Sequence, residues 1–433
     1  MKPPLATFSD RGFLDTVGLL AILGLLTLNA FHYHICEIFP YYRELIGALF
    51  AVLCVRYLLS KALKKQGGDT QRSRPLFYLL LFPALLFLWS FIDPGVPLYG
   101  DQMLEMVSKQ LSGRSTRLYV LRNALLYLPM VLYVYFRGVS LAEIRLIALT
   151  AVLIAPLGIA GYLQYGETAT LAQLGLVAEL GGRGLAYNSY VPYLTFLVLC
   201  GIYLIFSPSR IHVKWMASAS VGIVSIYCLL STSRQSVLFI VICFAVFFYF
   251  SQEGKTQVRK LMNMGLALMV FMAMFFYFTR GYEFSETFLD RYSSVKGFTE
   301  TARAEIMIEG LKMLEPMEWL TGAGLTSVLV SGPHNDYIRW TQRVGAPLMF
   351  FGFLPFFIIF MQIAKLALRN RRSNTLFLFL ALAVGFTLFH SMFCYPREEA
   401  NQAVAVFLGI ALAFGVSQNE LLTDYKISER LNI

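Results

Sequence analysis

Residues 333–343 read Pro-His-Asn-Asp-Tyr-Ile-Arg-Trp-Thr-Gln-Arg, at the point where a polar stretch gives way to a long apolar run. His334 is one of only five histidines, and it stands among Asn335, Asp336, Tyr337, Arg339 and Arg343. An imidazole with an ordinary pKa near 6.5 accepts a proton at neutral pH, and nearby guanidiniums help hold it neutral. Guanidinium groups are planar forks that match phosphate oxygens in pairs. A base beside several arginines therefore suits chemistry on an anionic substrate. His334 is the candidate catalytic base, and Asn335, Asp336 and Tyr337 are candidates to orient its ring or a sugar.

Three arginines elsewhere fit the same chemistry. Arg234 lies in Ser231-Thr232-Ser233-Arg234-Gln235-Ser236, a short polar turn between two strongly apolar runs. A charge at that depth faces a cavity or a partner, or snorkels to the headgroups. Arg303 falls in the first turn of an amphipathic segment, 302–314, with apolar positions at 306, 307, 310, 311 and 314. That spacing is helical. Thr301 precedes it as a cap, and helix N-termini favour anions. Gly322 and Gly324 beyond it mark a loop. Arg183 sits in Gly181-Gly182-Arg183-Gly184, where glycine lets backbone approach a ligand, or simply makes a flexible turn. Arg339 and Arg343 are supporting cations. For each arginine, pairing with outer acids such as Glu283, Asp290 or Glu305 is the structural alternative.

Other clusters point away from chemistry. His32, His34 and Cys36 match no standard zinc spacing, so no metal site is expected. No nucleotide-cradling loop or dinucleotide fingerprint is present. The six cysteines have no metal-type spacing, and four fall in apolar runs where packing explains them. Cys36 and Cys394 are the pair that could meet outside the cytoplasm. His390 and His212 read as structural, and Arg56 falls inside the second apolar run, paired in the bundle or lining a lipid-phosphate groove.

The elements that carry these residues are membrane helices. The chain is 57% apolar and only 14% charged, against roughly 45–50% apolar in soluble domains. Its mean hydropathy is +0.61. Charge-poor runs long enough to span a bilayer fall at about 13–33, 44–62, 76–93, 119–136, 146–164, 186–207, 215–232, 235–251, 261–279, 344–364, 375–392 and 402–417. These predict an all-α polytopic membrane protein of about twelve spans. A β-barrel would alternate with period two instead. The first run lacks a cleavage site and reads as a retained helix. Short loops bearing Lys61, Lys64, Arg137, Arg145, Lys255 and Arg369 are cytoplasmic by the positive-inside rule, with both termini inside. The opposite face carries the long segments 94–118, 165–185 and 280–343. Its basic residues are mostly arginine, Lys109, Lys296 and Lys312 excepted. Topology needs only charge, so this bias points to oxyanion recognition. Residues 1–433 read as one transmembrane domain, with 280–343 a partly helical outer cap inserted between spans nine and ten.

Three stretches carry a family resemblance. Thr232-Ser233-Arg234 opens a helix after a hairpin. Thr301-Ala302-Arg303 starts a segment ending in Leu320-Thr321-Gly322-Ala323-Gly324. Pro333-His334-Asn335-Asp336-Tyr337 follows, with Gly345 beyond. Their order and spacing, most strongly over 183–365, resemble the bacterial O-antigen ligase and O-antigen polymerase superfamily. Ala346-Pro347 after Gly345 departs from the small-residue step of many relatives. The resemblance implies a GT-C-like, metal-independent, inverting glycosyltransferase of the inner membrane, acting at its periplasmic face without a cofactor. The donor it implies is a glycan on undecaprenyl diphosphate. Arg234 and Arg303 would hold the diphosphate with Arg183 less firmly matched, and His334 would activate the acceptor hydroxyl. A polymerase would take a lipid-linked repeat as acceptor and work with a chain-length regulator. A ligase would take lipid A–core. Membrane lipids are expected partners and nucleic acid is not. A lipid or polysaccharide transporter is the alternative of another class, and it would show inverted repeats or broken helices at the midplane, neither of which is evident.

Overall fold

The computed structural model describes residues 13–31, 35, 38–39, 41–63, 74–91, 116–165, 187–230, 234–250, 308–324, 335–369, 374–392 and 398–416. Among these, every regular element is a helix. They are α1 (Phe13–Ala30), α2 (Tyr42–Leu63), α3 (Arg74–Trp89), α4 (Thr116–Arg137), α5 (Leu141–Tyr165), α6 (Tyr187–Phe206), α7 (Ile211–Leu230), α8 (Arg234–Phe250), α9 (Glu318–Thr321), α10 (Asp336–Val344), α11 (Ala346–Arg369), α12 (Asn374–His390) and α13 (Glu398–Val416). Eleven of the twelve predicted spans coincide with α1–α8 and α11–α13. The run at 261–279 lies outside the described residues.

Three of these helices contain stretches long and apolar enough to cross a membrane: Leu141–Gly161, Ile211–Cys228 and Ala346–Arg369. Six shorter apolar helices accompany them. Exposure follows the pattern of a lipid-facing surface. On α2, Leu45, Leu49, Val52, Val55 and Leu59 recur every three or four residues and are all exposed. A helical stripe of bare apolar side chains is at home in hydrocarbon, not in water. Arg56 lies on this exposed side of α2, so it does not pair inside the bundle as one reading of the sequence expected. Proline interrupts α3, α4, α5, α6 and α11 internally. Such breaks are tolerated in membrane helices because neighbours re-satisfy the freed carbonyls.

The centre of the bundle is α6. Val191 through Leu204 are buried without a break, as expected of a helix apolar on all sides. Its aromatic rings lock into α12 and α13: Phe196 meets Phe386 at 5.3 Å and Phe407 at 5.1 Å, and Tyr203 stacks on Phe379 at 4.6 Å. The Tyr193 hydroxyl donates to the Leu26 carbonyl of α1 at 2.6 Å, so its polar end is satisfied. Cys54, Cys200, Cys228 and Cys243 are free and buried, as packing predicts. Cys36 and Cys394, like His32 and His34, lie outside the described residues.

Among the described residues, two ion-pair clusters sit at the ends of the helices. At one end Arg137 is gripped by Glu143 at 2.6 Å and by Asp15 at 3.2 Å, linking the start of α1, the end of α4 and the start of α5. At the other, Arg122 of α4 reaches Glu44 of α2 through both Nε and Nη2, at 2.9 and 2.6 Å. The apolar middle is thus bounded by polar clamps, as a spanning bundle requires.

Candidate functional site

The short helix α10 is built by its sequence. Asn335 caps it, its Oδ1 accepting from the Ile338 amide at 3.1 Å. Three hydrogen bonds then pin its start to the end of α12. The Asp336 amide donates to the Ser391 carbonyl at 2.7 Å. The Asn335 Nδ2 donates to the Met392 carbonyl at 3.1 Å, and the Tyr337 hydroxyl to the Leu388 carbonyl at 2.8 Å. Tyr337 also packs its ring on Phe353 at 4.3 Å, and its hydroxyl is pushed up to about 12 by burial, with the Asp336 charge adding to it. Asn335 and Tyr337 therefore fix the start of α10 against the end of α12.

The other end of α10 explains the glycine motif. The Ala323 and Gly324 amides donate to the carbonyls of Gln342 and Arg343, at 2.7 and 3.2 Å. Carbonyls at a helix C-terminus have no partner within the helix, and this loop supplies one. The approach demands glycine on both sides. Gly322 and Gly345 have φ of +76° and +83°. A Cβ on Gly322 would meet the Arg343 carbonyl, and one on Gly345 would meet that of Leu320. The Trp89 indole donates to the Thr321 carbonyl at 2.7 Å, tying the loop to α3. The expected loop at Gly322–Gly324 is thus the clamp that sets the height of Arg339 and Arg343.

The end of α12 has two faces. Phe386 and His390 turn towards α8, where Phe239 lies 5.2 and 5.4 Å away. His390 is fully buried, and neither ring nitrogen has a partner among the described residues. Arg234 is the first residue of α8, as the sequence predicts, with buried Ser236 just inside it. The fold therefore brings the start of α8 and the start of α10 to the same end of α12. His334, Arg303 and Arg183 lie outside the described residues, and so does the expected helix before residue 308; 308–312 is helical.

Thr387 of α12 and Ser391, just past its end, face the other way, into a cavity of about 930 Å³. Its polar end gathers Arg43, Asn123, Asp336, Arg339, Arg343 and Asn401. Its deeper wall is apolar, with Leu79, Phe82, Phe356, Val404 and Leu408. Pro83 of α3 and Pro355 of α11 both line it, each removing a backbone hydrogen bond at that level. Asp336 is the described acid of this cavity. Its side chain is 14% exposed, with Arg339 Nη1 at 4.0 Å and the Ser391 hydroxyl at 3.5 Å. Burial pushes its carboxyl up to about 7, against the pull of Arg339, Arg343 and the Ser391 hydrogen bond.

Arg339 and Arg343, the supporting cations of the sequence reading, both line this cavity. Arg43, Asn123, Asn401 and Ser391 were not singled out as site residues. A signal was available: Arg43, Asn123 and Asn401 each sit at the polar start of an apolar run on the same predicted face. Among the described residues no three His, Cys, Asp or Glu side chains converge as metal ligands would.

Residues 219–353 match the family model described as O-antigen ligase. The match begins within α7, takes in Arg234, Arg303 and His334, and ends within α11, and it supports the superfamily to which the three motifs are similar. No curated protein matches the chain.

Proposed function

We propose that the chain is an inner-membrane glycosyltransferase that draws its glycan from an undecaprenyl-diphosphate donor at the periplasmic face. The observation that supports this reading is the meeting of the starts of α8 and α10 at the end of α12, since Arg234 opens α8 and His334 precedes α10 in the sequence. Departure of the diphosphate develops negative charge on its oxygens. Arg234 and Arg303, with Arg183, are assigned to stabilise that charge without a metal, as fixed guanidiniums in a dry site do. His334 takes the proton of the acceptor hydroxyl as that oxygen attacks the anomeric carbon, and the bond to the diphosphate breaks on the opposite side. The product is inverted.

Polymerisation onto a lipid-linked repeat is the first reading, because the outer insertion before α10 is moderate in length. Ligation to lipid A–core is the second, favoured by the description of the matching family. Deleting the gene and profiling surface glycan on a gel separates them. A ladder that collapses to one repeat on the core identifies a polymerase. Loss of all capped core, with lipid-linked polymer accumulating, identifies a ligase. An unchanged glycan profile overturns both.

A further inference from the structure

The cavity beside α10 is amphipathic along its length. Three guanidiniums from two elements line its polar end: Arg43 of α2, and Arg339 and Arg343 one turn apart on α10. Behind them the α13 side of the cavity runs from polar Asn401 past Val404 and Ala405 to Leu408, about 10 Å at 1.5 Å per residue. The volume of about 930 Å³ falls in the range of small-molecule sites and exceeds what a bare phosphate would fill.

Arg43 is held in place by a chain of buried polar groups. Its Nε donates to the Tyr42 hydroxyl at 3.4 Å, and its guanidinium lies 5.6 Å from the centre of that ring. The Tyr42 hydroxyl donates to Asn29 Oδ1 at 3.0 Å, and Asn29 Nδ2 donates to Gln402 Oε1 at 3.3 Å. Tyr42, Asn29 and Gln402 are at most 2% exposed. Burying such a chain in an apolar bundle is costly unless it fixes something, and what it fixes is Arg43, through α1 and α13.

We propose that this cavity is a second lipid-phosphate site, seating the head of an anionic lipid acceptor on the face of α12 turned away from α8. The guanidiniums match phosphate oxygens, and the apolar chamber matches a hydrocarbon chain. The acceptor role rests on the transferase reading above; the binding of a lipid phosphate does not.

The test uses the full-length protein in phosphatidylcholine nanodiscs and a photoreactive diazirine-bearing tetradecyl phosphate. Light-induced crosslinks are mapped by mass spectrometry over a titration. Saturable labelling of α3, α4, α11 and α13 is expected, absent with the matching tetradecyl glucoside and resistant to excess inorganic phosphate. Arg43→Gln weakens it by about tenfold or more, as loss of a charge-assisted contact does. Arg43→Lys weakens it less, and Tyr42→Phe reproduces part of the loss through the network. Ala124→Phe, which fills the chamber without touching a charge, also weakens it. The double variant Arg234→Lys/Arg303→Lys leaves it intact. Labelling by the glucoside, displacement by inorganic phosphate, or loss only in the double variant overturns the site. If wild type binds but shows no glycosyl transfer, the transferase reading fails and this site stands. If transfer occurs, Arg43→Gln must raise the acceptor KM without changing donor affinity; an unchanged KM removes the acceptor role.

Discussion

Replacing Asp336 with asparagine isolates one buried carboxyl whose environment pulls in opposite directions. The residue sits in the first turn of α10, where the helix terminus favours a negative charge. Arg339, Arg343 and the Ser391 hydroxyl favour it too. Burial outweighs them and moves the carboxyl from 3.8 to about 7. Carrying the charge in place therefore costs roughly 4 kcal/mol relative to water. The sign follows from proton counting. Between pH of about 4 and 7 the folded protein holds a proton that the unfolded chain has released, so this group's contribution falls as pH rises and levels off above 7. A neutral amide at this position carries no such penalty, so the Asp336→Asn variant gains on wild type by about 3 kcal/mol between pH 5 and pH 8. Thermal unfolding in neutral detergent, followed by circular dichroism, reads this as a gap in Tm that widens by several degrees with pH. Arg339→Gln removes an opposing charge and moves the step to higher pH. Parallel pH profiles for wild type and Asp336→Asn would refute the reasoning.

Three further outcomes are expected. Arg234→Lys and Arg303→Lys keep the charge but lose the fork, so each cuts turnover of purified lipid-linked glycan sharply; full activity in both would make them structural charges. His334→Ala lowers that turnover by about 10²–10⁴ while donor affinity stays within a few-fold, and EDTA leaves wild type unaffected; a variant that fails to bind donor would move His334 to the donor site. Gly345→Ala destabilises by about 2 kcal/mol or more, since φ is +83° and the new Cβ meets the Leu320 carbonyl, whereas Gly24→Ala, which meets nothing, is silent in the same melts.

The helices were legible because apolar runs and charge-bearing loops alternate so plainly. The positions of Arg234 at a helix start, and of Gly322–Gly324 in a loop, were legible for similar local reasons. Gly345 was noted as a motif residue, but its reason was not readable. It answers to the Leu320 carbonyl across space, and only the fold shows that the two glycines are halves of one contact. The cavity was hidden for a related cause. Arg43, Asn123, Asp336 and Asn401 belong to four helices, and periodicity within one helix says nothing of what another brings to it. For Arg56 the sequence left open pairing in the bundle or a lipid-phosphate groove, and only the fold removes the first, because α2 turns it outward with its lipid-facing stripe. Asp336 was a candidate to orient the base's ring or a sugar; its burial beside two arginines was invisible in a string where it is simply an acid among cations.

The inverting displacement proposed above would set a geometric demand on the end of α12. The attacking oxygen and the departing diphosphate must lie on opposite sides of the reacting carbon, yet in a polymerase both substrates are anionic lipids that repel each other. A single shared trough of arginines would let either lipid occupy either place. Here α12 presents Phe386 and His390 to α8 and Thr387 and Ser391 to the cavity. The start of α10, which follows His334 in the sequence, is anchored to the backbone of Leu388, Ser391 and Met392, where those two faces meet. On the proposed assignment the base enters between a donor on one side and an acceptor on the other. Losing that anchorage is then worse than losing a contact to either lipid. Tyr337→Phe, which gives up only the hydrogen bond to Leu388, is expected to lower turnover while leaving both binding affinities within a few-fold. Equal losses in binding and turnover would show instead that α10 merely walls the cavity.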